Sequence, residues 1–221
     1  MINLKFDGKE IVLKPTKIIA VARNYKKHAK EMAASIPETP HFFLKPPSSI
    51  IANNGVVILP KMATRIDHEV ELAVVIKNRC RKLAAKEVSE NILGYTIIVD
   101  ITARDIQAEA IKTGMPWTTA KGFDTFAPLG PKIVTAQSID VNNCRIWLKI
   151  NGLYKQDSNT KNMIFPVPEL IAFISEVMTL EPMDIIATGT PEGVGPIKHG
   201  DLIEAGIEGI GILKLMVEQE I

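Results

Sequence analysis

The sequence predicts a β-rich α+β domain, and three observations support this fold class. Alternating segments flank Asp7-Gly8 and Asn151-Gly152, dipeptides favoured in the type I′ turn of a β-hairpin because both central residues need positive φ. Apolar runs such as GYTIIVD are typical of buried strands. Helical patterns are few and short and do not alternate regularly with strands, which argues against a doubly wound or barrel fold.

The elements follow in order from these patterns. A hairpin is predicted at the N-terminus, over 1–16, and later strands are predicted in KIIAVA, GVVILP, HEVELAVVI, GYTIIVDI, DIIA and the hairpins CRIWLKI-NG-LYKQD and DLIEAGIEGIGILKLMVE. Helices are predicted in NYKKHAKEMAAS, with Asn24 as N-cap, and in AAKEVSENI, TARDIQAEAIKT and PELIAFISEVM. Prolines interrupt 35–47, which cannot form a regular helix. No repeat or linker divides the chain, so a single domain is predicted over 1–221.

Charge and cysteine content exclude several classes of protein. The chain has 26 basic and 25 acidic residues, whereas binding to nucleic acid or to an anionic membrane needs a basic surplus. No apolar run is long enough for a membrane span and the N-terminus does not resemble a signal peptide, so a cytoplasmic location is expected. Cys80 and Cys144 are far apart and lack a CxxC motif, which excludes zinc fingers and disulfide scaffolds.

Three carboxylates are candidate metal ligands. On a strand, Glu69 and Glu71 point to one face with Cα atoms about 6.6 Å apart, so both can reach one hard cation such as Mg²⁺. Asp100 ends the apolar run GYTIIVD, and a buried aspartate is rare unless it is paired or metal-bound. Together the three would complete an octahedral oxygen site. A solvated acidic strand face, and a helix N-cap at Asp100, are the alternatives that the sequence leaves open.

Two further features could take part in chemistry. His28 and Glu31 share a helix face at i, i+3 spacing, and a carboxylate beside an imidazole suits a general base, although surface pairs of this kind are common. Lys121 lies in an apolar, turn-rich segment, where it could face a substrate carboxylate or enolate, or solvent.

Nucleotide binding and two common hydrolase mechanisms are not expected. The loop TGTPEGVGP over 188–196 resembles an anion-binding turn, but Val194 stands where the Walker pattern needs glycine. The glycines over 206–211 miss the dinucleotide-binding pattern and lie in a predicted hairpin. No G-x-S-x-G elbow or HExxH motif is present.

Taken together, the ordered motifs resemble the fumarylacetoacetate hydrolase superfamily from about Lys17 to nearly the C-terminus. The similarity rests on RNYKKHAKEM, HFFLKPPSSI, DHEVELAVVI, GYTIIVDITARDIQ, PWTTAKGFDTFAPLGP, LKINGLYKQDSNTKNMIF and TGTPEGVGPIKHGD. The pattern is most similar to the single-domain acylpyruvate hydrolase and oxaloacetate decarboxylase members. One departure is Met183, where related sequences commonly have glycine.

The resemblance implies a fold, an oligomeric state and a set of site residues. The implied fold is a mixed β-sandwich roll of the C-terminal-domain type, usually in a homodimer. The implied ligands of Mg²⁺ or Mn²⁺ are Glu69, Glu71 and Asp100. The implied catalytic residues are Lys121 and a pair on a lid within 24–47, namely His28 and Glu31. The implied substrate-binding residues are Arg104, Gln107, Thr190 and, as a weaker candidate, Lys45.

The implied activity is metal-dependent hydrolysis of a carbon–carbon bond in acylpyruvate-type 2,4-diketo acids. Oxaloacetate decarboxylation through the same metal-bound pyruvate enolate is implied as a second reaction. An alternative is isomerisation or decarboxylation of unsaturated 2-oxo or 2-hydroxy diacids, and another is a non-catalytic metal-binding scaffold. The pair of His28 and Glu31 favours the hydrolase because isomerisation needs no activated water.

Overall fold

The computed structural model describes residues 1–32 and 35–221. In these ranges the α-helices are α1 (Lys26–Glu31), α2 (Arg104–Thr113), α3 (Thr118–Lys121) and α4 (Val167–Val177). The strands are β1 (Ile2–Phe6), β2 (Lys9–Leu13), β3 (Ile18–Ala22), β4 (His41–Lys45), β5 (Ile50–Ala52), β6 (Val56–Leu59), β7 (Ile66–His68), β8 (Val70–Ile76), β9 (Ile92–Val99), β10 (Thr102–Ala103), β11 (Ala127–Thr135), β12 (Arg145–Ile150), β13 (Leu153–Asn159), β14 (Ile185–Ala187), β15 (Gly195–Pro196), β16 (Leu202–Ile207) and β17 (Gly211–Gln219).

The strands form one large mixed sheet and two smaller sheets. The nine-stranded sheet has the order β2-β1-β11-β9-β8-β14-β3-β4, and β5 also pairs with β11. The five-stranded sheet has the order β13-β12-β16-β17-β6, and the three-stranded sheet has the order β10-β7-β15. Parallel and antiparallel pairs both occur, since β14 runs parallel to β3 and antiparallel to β8.

The central strands of the large sheet are buried on both faces. Alternate residues of its strands, such as Leu72 and Val74 in β8, pack into a core shared with the five-stranded sheet and α4. The intervening Ala73 and Val75 pack into a second core with the N-terminal hairpin. Strands β8 and β9 are therefore largely apolar along their whole length, as expected for strands covered on both sides. This layered arrangement, with its mixed sheet, confirms the predicted β-rich α+β fold.

The predicted hairpin turns are confirmed by the backbone. Asp7 and Gly8 have φ values of 49° and 75°, and Asn151 and Gly152 have φ values of 51° and 79°, as the type I′ turn requires. Helices α2 and α4 also follow the predicted segments. Both cysteines are buried and free, and no helix among the described residues is long and apolar enough to cross a membrane.

Three local predictions differ from the structure. The segment AAKEVSENI forms two 3₁₀ turns, Ala85–Glu87 and Ser89–Asn91, and the carbonyl of Glu87 accepts from the side chain of Asn91 while the backbone amide of Asn91 bonds to Val88. Asn24 is not the N-cap of α1, since Tyr25 holds that position and the Asn24 amide bonds to Phe165 and Thr188 instead.

The predicted lid segment 24–47 also contains more regular structure than expected. His41–Lys45 is a strand, β4, which pairs antiparallel with β3 at the edge of the large sheet. Helix α1 covers Lys26–Glu31, and residues 33–34 of the predicted helix lie outside the described ranges. The strand fixes one end of the segment to the sheet.

Candidate active site

The three candidate ligands converge where neighbouring strands end. Glu71 lies in β8, Asp100 directly follows β9, and these strands pair antiparallel. Glu69 lies at the break between β7 and β8, where the chain passes from the small sheet to the large one, and its carbonyl accepts a 2.8 Å hydrogen bond from the amide of Asp100. One carboxylate oxygen from each residue lies within 4.8 Å of the others, and all three side chains are buried.

Two lysines bind the two oxygens of Asp100. Lys121, at the end of α3, donates to Asp100 Oδ2 at 2.6 Å and to Glu69 Oε2 at 2.9 Å. Lys45, in β4, donates to Asp100 Oδ1 at 2.7 Å and to the carbonyl of Ile101 at 3.1 Å. Both ammonium groups are buried, so the carboxylates are compensated by cations from separate parts of the chain.

A guanidinium group completes this polar cluster. Arg104, the first residue of α2, donates through Nε to Asp67 at 2.8 Å, through Nη1 to Gln107 Oε1 at 2.5 Å and through Nη2 to Glu69. Asp67 is fully buried and also accepts from Arg65. The planar fork of Arg104 is therefore oriented from two sides, with Gln107 one helical turn away.

The pKa values of Glu69 and Glu71 are shifted in opposite directions. Burial raises the pKa of Glu71 well above its ordinary value, and the neighbouring charges of Asp100 and Glu69 raise it further. Burial acts in the same direction on Glu69, but the cations of Lys121 and Arg104 outweigh it and hold its pKa below the ordinary range. Of the two glutamates, Glu71 is consequently the one whose charge is less compensated by the protein.

The donor set fits a hard divalent cation. It consists of carboxylate oxygens only, which suits Mg²⁺ or Mn²⁺ better than a softer metal. A divalent ion would also compensate the charge of Glu71, which the surrounding lysines leave unbalanced. The three residues therefore form a buried acidic site for a divalent metal.

The loop after β14 closes one side of the cluster. The amide of Gly189 donates to Glu71 Oε2 at 2.7 Å, and the hydroxyl of Thr190 donates to the carbonyl of Val70 at 2.9 Å. Gly189 has a φ of 93°, and a Cβ atom there would lie 2.7 Å from the Cβ atom of Asn24. Only glycine fits this position without displacing its neighbours.

A buried glutamine that the sequence reasoning missed supports this loop. Gln156 donates to Thr190 Oγ1 at 2.8 Å and to the carbonyl of Pro191 at 2.9 Å. Its Oε1 atom accepts from the amide of Val70 and also contacts His68. No sequence pattern marked it, because β13 does not alternate: the first three residues of the strand are all exposed, and Gln156 is its one fully buried residue.

The pair on α1 lies over the same loop. His28 Nδ1 is 3.3 Å from Glu31 Oε2, and both carboxylate oxygens of Glu31 accept from the amide of Gly193, at 3.1 and 3.2 Å. Lys27 and Glu192 form a further ion pair of 3.3 Å between the helix and the loop. The imidazole of His28 is buried, so α1 presents it to the interior.

A cavity of about 320 Å³ joins most of the predicted site residues. Eight of them line it: His28, Glu69, Glu71, Asp100, Arg104, Gln107, Lys121 and Thr190. Glu31 and Lys45 do not line it but contact His28 and Asp100, which do. Aromatic and aliphatic side chains form the remaining wall, together with Arg23, to which the sequence reasoning assigned no role.

Fold and site together define a β-rich enzyme with an acidic centre for a divalent metal. Residues 17–218 match the family model described as fumarylacetoacetate (FAA) hydrolase C-terminal. The chain belongs to this family, and the match covers the extent expected from the ordered sequence motifs.

The relatives of this chain are named for several different activities. The chain is 46% identical to an oxaloacetate tautomerase of Arabidopsis thaliana over 206 residues, 93% of this chain and 92% of the relative. It is 46% identical to an oxaloacetate decarboxylase of Dictyostelium discoideum over 195 residues, 88% and 89% of the two chains. A fumarylpyruvate hydrolase of Pseudomonas aeruginosa, solved with Mn²⁺ and pyruvate, superimposes with a TM-score of 0.93 at 30% identity, covering 99% of this chain and 96% of that one.

Proposed function

We propose that the protein is a divalent-metal-dependent hydrolase of acylpyruvate-type 2,4-diketo acids that also decarboxylates oxaloacetate. The observation that supports it most directly is the cavity in which His28, hydrogen-bonded to Glu31, faces the acidic cluster and Lys121. Substrates named for the relatives, oxaloacetate and fumarylpyruvate, share a pyruvoyl unit, which indicates a common 2-oxo acid chemistry.

The polar residues would bind and orient the pyruvoyl unit. Glu69, Glu71 and Asp100 would hold Mg²⁺ or Mn²⁺, which supplies a Lewis acid for the 2-oxo and carboxylate oxygens of the substrate. Arg104 and Gln107 line the cavity beside these ligands, where their donors would contact the substrate carboxylate. The hydroxyl of Thr190 also lines the cavity and would contact the substrate, whereas Lys45 does not line it and is the weaker candidate.

His28 would act as the general base. Its Nδ1 atom is held by Glu31, which leaves Nε2 to accept a proton from a water molecule. The resulting hydroxide would attack the carbonyl carbon of the acyl group, and the carbon–carbon bond to the pyruvoyl methylene would break. The acyl group leaves as a carboxylic acid, and the electron pair passes to the pyruvate enolate.

Lys121 would stabilise the enolate. Its ammonium group is buried, lines the cavity, and has a pKa above the ordinary value because Asp100 and Glu69 outweigh the opposing effect of burial. A buried cation of this kind compensates the negative charge that develops on the enolate oxygen. Protonation of the methylene carbon then gives pyruvate. Oxaloacetate reaches the same enolate by losing CO₂, without an attacking water.

One alternative is keto–enol tautomerisation, in which a proton moves between carbon and oxygen and no carbon–carbon bond is cleaved. Another is isomerisation or decarboxylation of unsaturated 2-oxo or 2-hydroxy diacids. The relative named as an oxaloacetate tautomerase favours tautomerisation. It would use the same enolate stabilisation by Lys121 but would not need the water activated by His28. The two functions therefore differ in whether pyruvate is released.

A substrate panel with Mg²⁺ or Mn²⁺ tests the proposal. Pyruvate release from acetylpyruvate, fumarylpyruvate and oxaloacetate is followed by a coupled assay, and keto–enol conversion of oxaloacetate by its ultraviolet absorbance. We expect metal-dependent pyruvate release from the diketo acids and from oxaloacetate. Fast keto–enol conversion without pyruvate release would contradict the hydrolase proposal and support the tautomerase function. Light scattering of the same sample checks the homodimer that we also propose.

A further inference from the structure

Arg23 has an unusual backbone conformation beside the cavity. It directly follows β3 and has a φ of 56°, in the left-handed region that disfavours residues with a Cβ atom. This conformation costs roughly 1–2 kcal/mol at an ordinary residue. Strained conformations persist where the surrounding structure fixes them, and they are concentrated at functional sites.

The neighbouring Asn24 fixes the strained turn. Its amide donates to the carbonyls of Phe165 at 3.0 Å and Thr188 at 2.8 Å, and its Oδ1 atom accepts from the amide of Phe165 at 2.8 Å. Asn24 is fully buried, and these hydrogen bonds fix the backbone conformation directly after Arg23. The contacts of Asn24 therefore hold the turn in place without the arginine side chain.

Arg23 differs from the other cations of the cavity in its partners. Arg104 and Lys121 also line the cavity, and both form ion pairs with its carboxylates. Among the residues that the structure describes, Arg23 forms no ion pair, and its buried Nε atom has no hydrogen-bond partner. Its Nη2 atom lies 3.2 Å from His41 Nδ1. A guanidinium that has no carboxylate partner among the described residues, and whose buried Nε–H is unsatisfied, is suited to an anion that enters from the cavity.

The position of Arg23 indicates which part of a substrate it would meet. A second cavity of about 530 Å³ shares Ala22, Arg23, Phe43 and Trp117 with the first. The rings of Phe43 and Trp117 pack edge to face with centroids 5.4 Å apart. Arg23 lines both cavities, whereas the acidic cluster lines only the first, so a substrate bound at the cluster could extend its acyl group past Arg23 toward the second cavity.

We propose that Arg23 is the residue that selects substrates whose acyl group carries a second carboxylate. The inference rests on the proposed function and deepens it: the preferred substrates are 2-oxo diacids, with one carboxylate near the metal site and the other on the guanidinium of Arg23. The half-buried rings of Phe43 and Trp117, which line both cavities with Arg23, would shield this ion pair in part from water, which increases its contribution to selectivity.

Steady-state kinetics with a matched pair of substrates test the proposal. The pair is fumarylpyruvate and its distal methyl ester, which has nearly the same shape without the second charge. Wild-type protein should prefer the diacid, and Arg23→Gln should lower kcat/KM for the diacid about 10- to 100-fold while changing the ester less than about threefold. Lys26→Gln removes an exposed positive charge nearby and should leave the preference unchanged. An equal loss on both substrates, or a wild-type enzyme without preference, contradicts the proposal.

A second variant separates selectivity from folding. Arg23→Gly relieves the left-handed strain, so its melting temperature should equal or exceed that of Arg23→Gln while the diacid preference is lost. Should neither substrate be turned over, the hydrolase proposal fails, and titration calorimetry of Mn²⁺-loaded protein decides the role of Arg23. Tighter binding of 2-oxoheptanedioate than of its 7-methyl ester, lost in Arg23→Gln, supports the role, and equal binding of the two overturns it.

Discussion

The ammonium group of Lys121 lies 2.6 Å from Asp100 Oδ2, and the two side chains are only 2% and 1% exposed. A proposed catalytic cation thus binds directly to a proposed metal ligand. Because the pair is buried, the charge of one residue strongly affects what the other can bind. Metal affinity and enolate stabilisation should therefore respond in opposite directions to the loss of this lysine.

Replacing Lys121 by methionine should increase metal affinity and decrease turnover. Without the ammonium group, Asp100 and Glu69 retain more negative charge for the cation, so we expect Mn²⁺ to bind several-fold more tightly. The enolate loses its compensating charge, and kcat should fall by about 10²–10³-fold. Titration calorimetry and pyruvate release measure the two effects, with the exposed Lys86→Met as control. A parallel loss of both properties would show that Lys121 mainly maintains the structure.

Metal binding should depend on pH through Glu71. Burial, Asp100 and Glu69 raise its pKa above the ordinary 4.5, so in the metal-free protein it stays protonated over a wider pH range. Metal affinity should rise with pH between the ordinary and the raised pKa, with proton release on binding, and level off above that window. In the same window the free energy of unfolding of the metal-free protein should fall as pH rises, because the folded state favours the protonated form.

Titrations in buffers of different ionisation enthalpy count the released protons. Glu71→Gln should abolish the release and weaken Mn²⁺ binding by at least about 100-fold. The exposed Glu218→Gln, a matched change on β17, should alter neither. Proton release that persists in Glu71→Gln would assign the titration to another group.

His28→Ala should distinguish hydrolysis from decarboxylation. Only hydrolysis needs an activated water, so kcat for acylpyruvate should fall about 10²–10⁴-fold, the usual range for a lost general base. Oxaloacetate decarboxylation should fall much less. Equal losses in the two assays would indicate that His28 acts by closing α1 over the loop, where Glu31 already contacts Gly193.

Met183 should be a position where glycine is more stable than alanine. It has a φ of 70°, in agreement with the expectation that this turn suits glycine. Met183→Gly and Met183→Ala both remove the same packing contacts, so their difference isolates the cost of a Cβ atom in the left-handed region. The glycine variant should be more stable by about 1 kcal/mol, which corresponds to a melting temperature about 2–4 °C higher in a chain of this size. A higher melting temperature for Met183→Ala than for Met183→Gly would contradict backbone strain at this position.

Elements with a local signal were predictable from the sequence. The Asp7-Gly8 and Asn151-Gly152 turns each require backbone angles that few dipeptides adopt, and the structure has these angles. Strand β11 was missed because Pro128 and Pro131 normally exclude a central strand. The structure accommodates them with an irregular register between Gly130 and Val134.

The candidate site was predictable only in part. The spacing of Glu69 and Glu71 and the apolar run before Asp100 are local features, and these residues do converge. The contact of Lys45 with Asp100 joins distant parts of the chain, so only the family resemblance pointed to it. Arg23 gave no signal because its left-handed conformation results from the anchoring of its neighbour, not from any preference of arginine.

Gly189 lies between two parts of the candidate site. Its amide donates to Glu71, a candidate metal ligand, and a Cβ atom at its position would lie 2.7 Å from that of Asn24, which leads into the helix that carries His28. A side chain at this position would push both at once. A substitution at Gly189 would therefore disturb the candidate metal ligand and the segment that leads into α1 together.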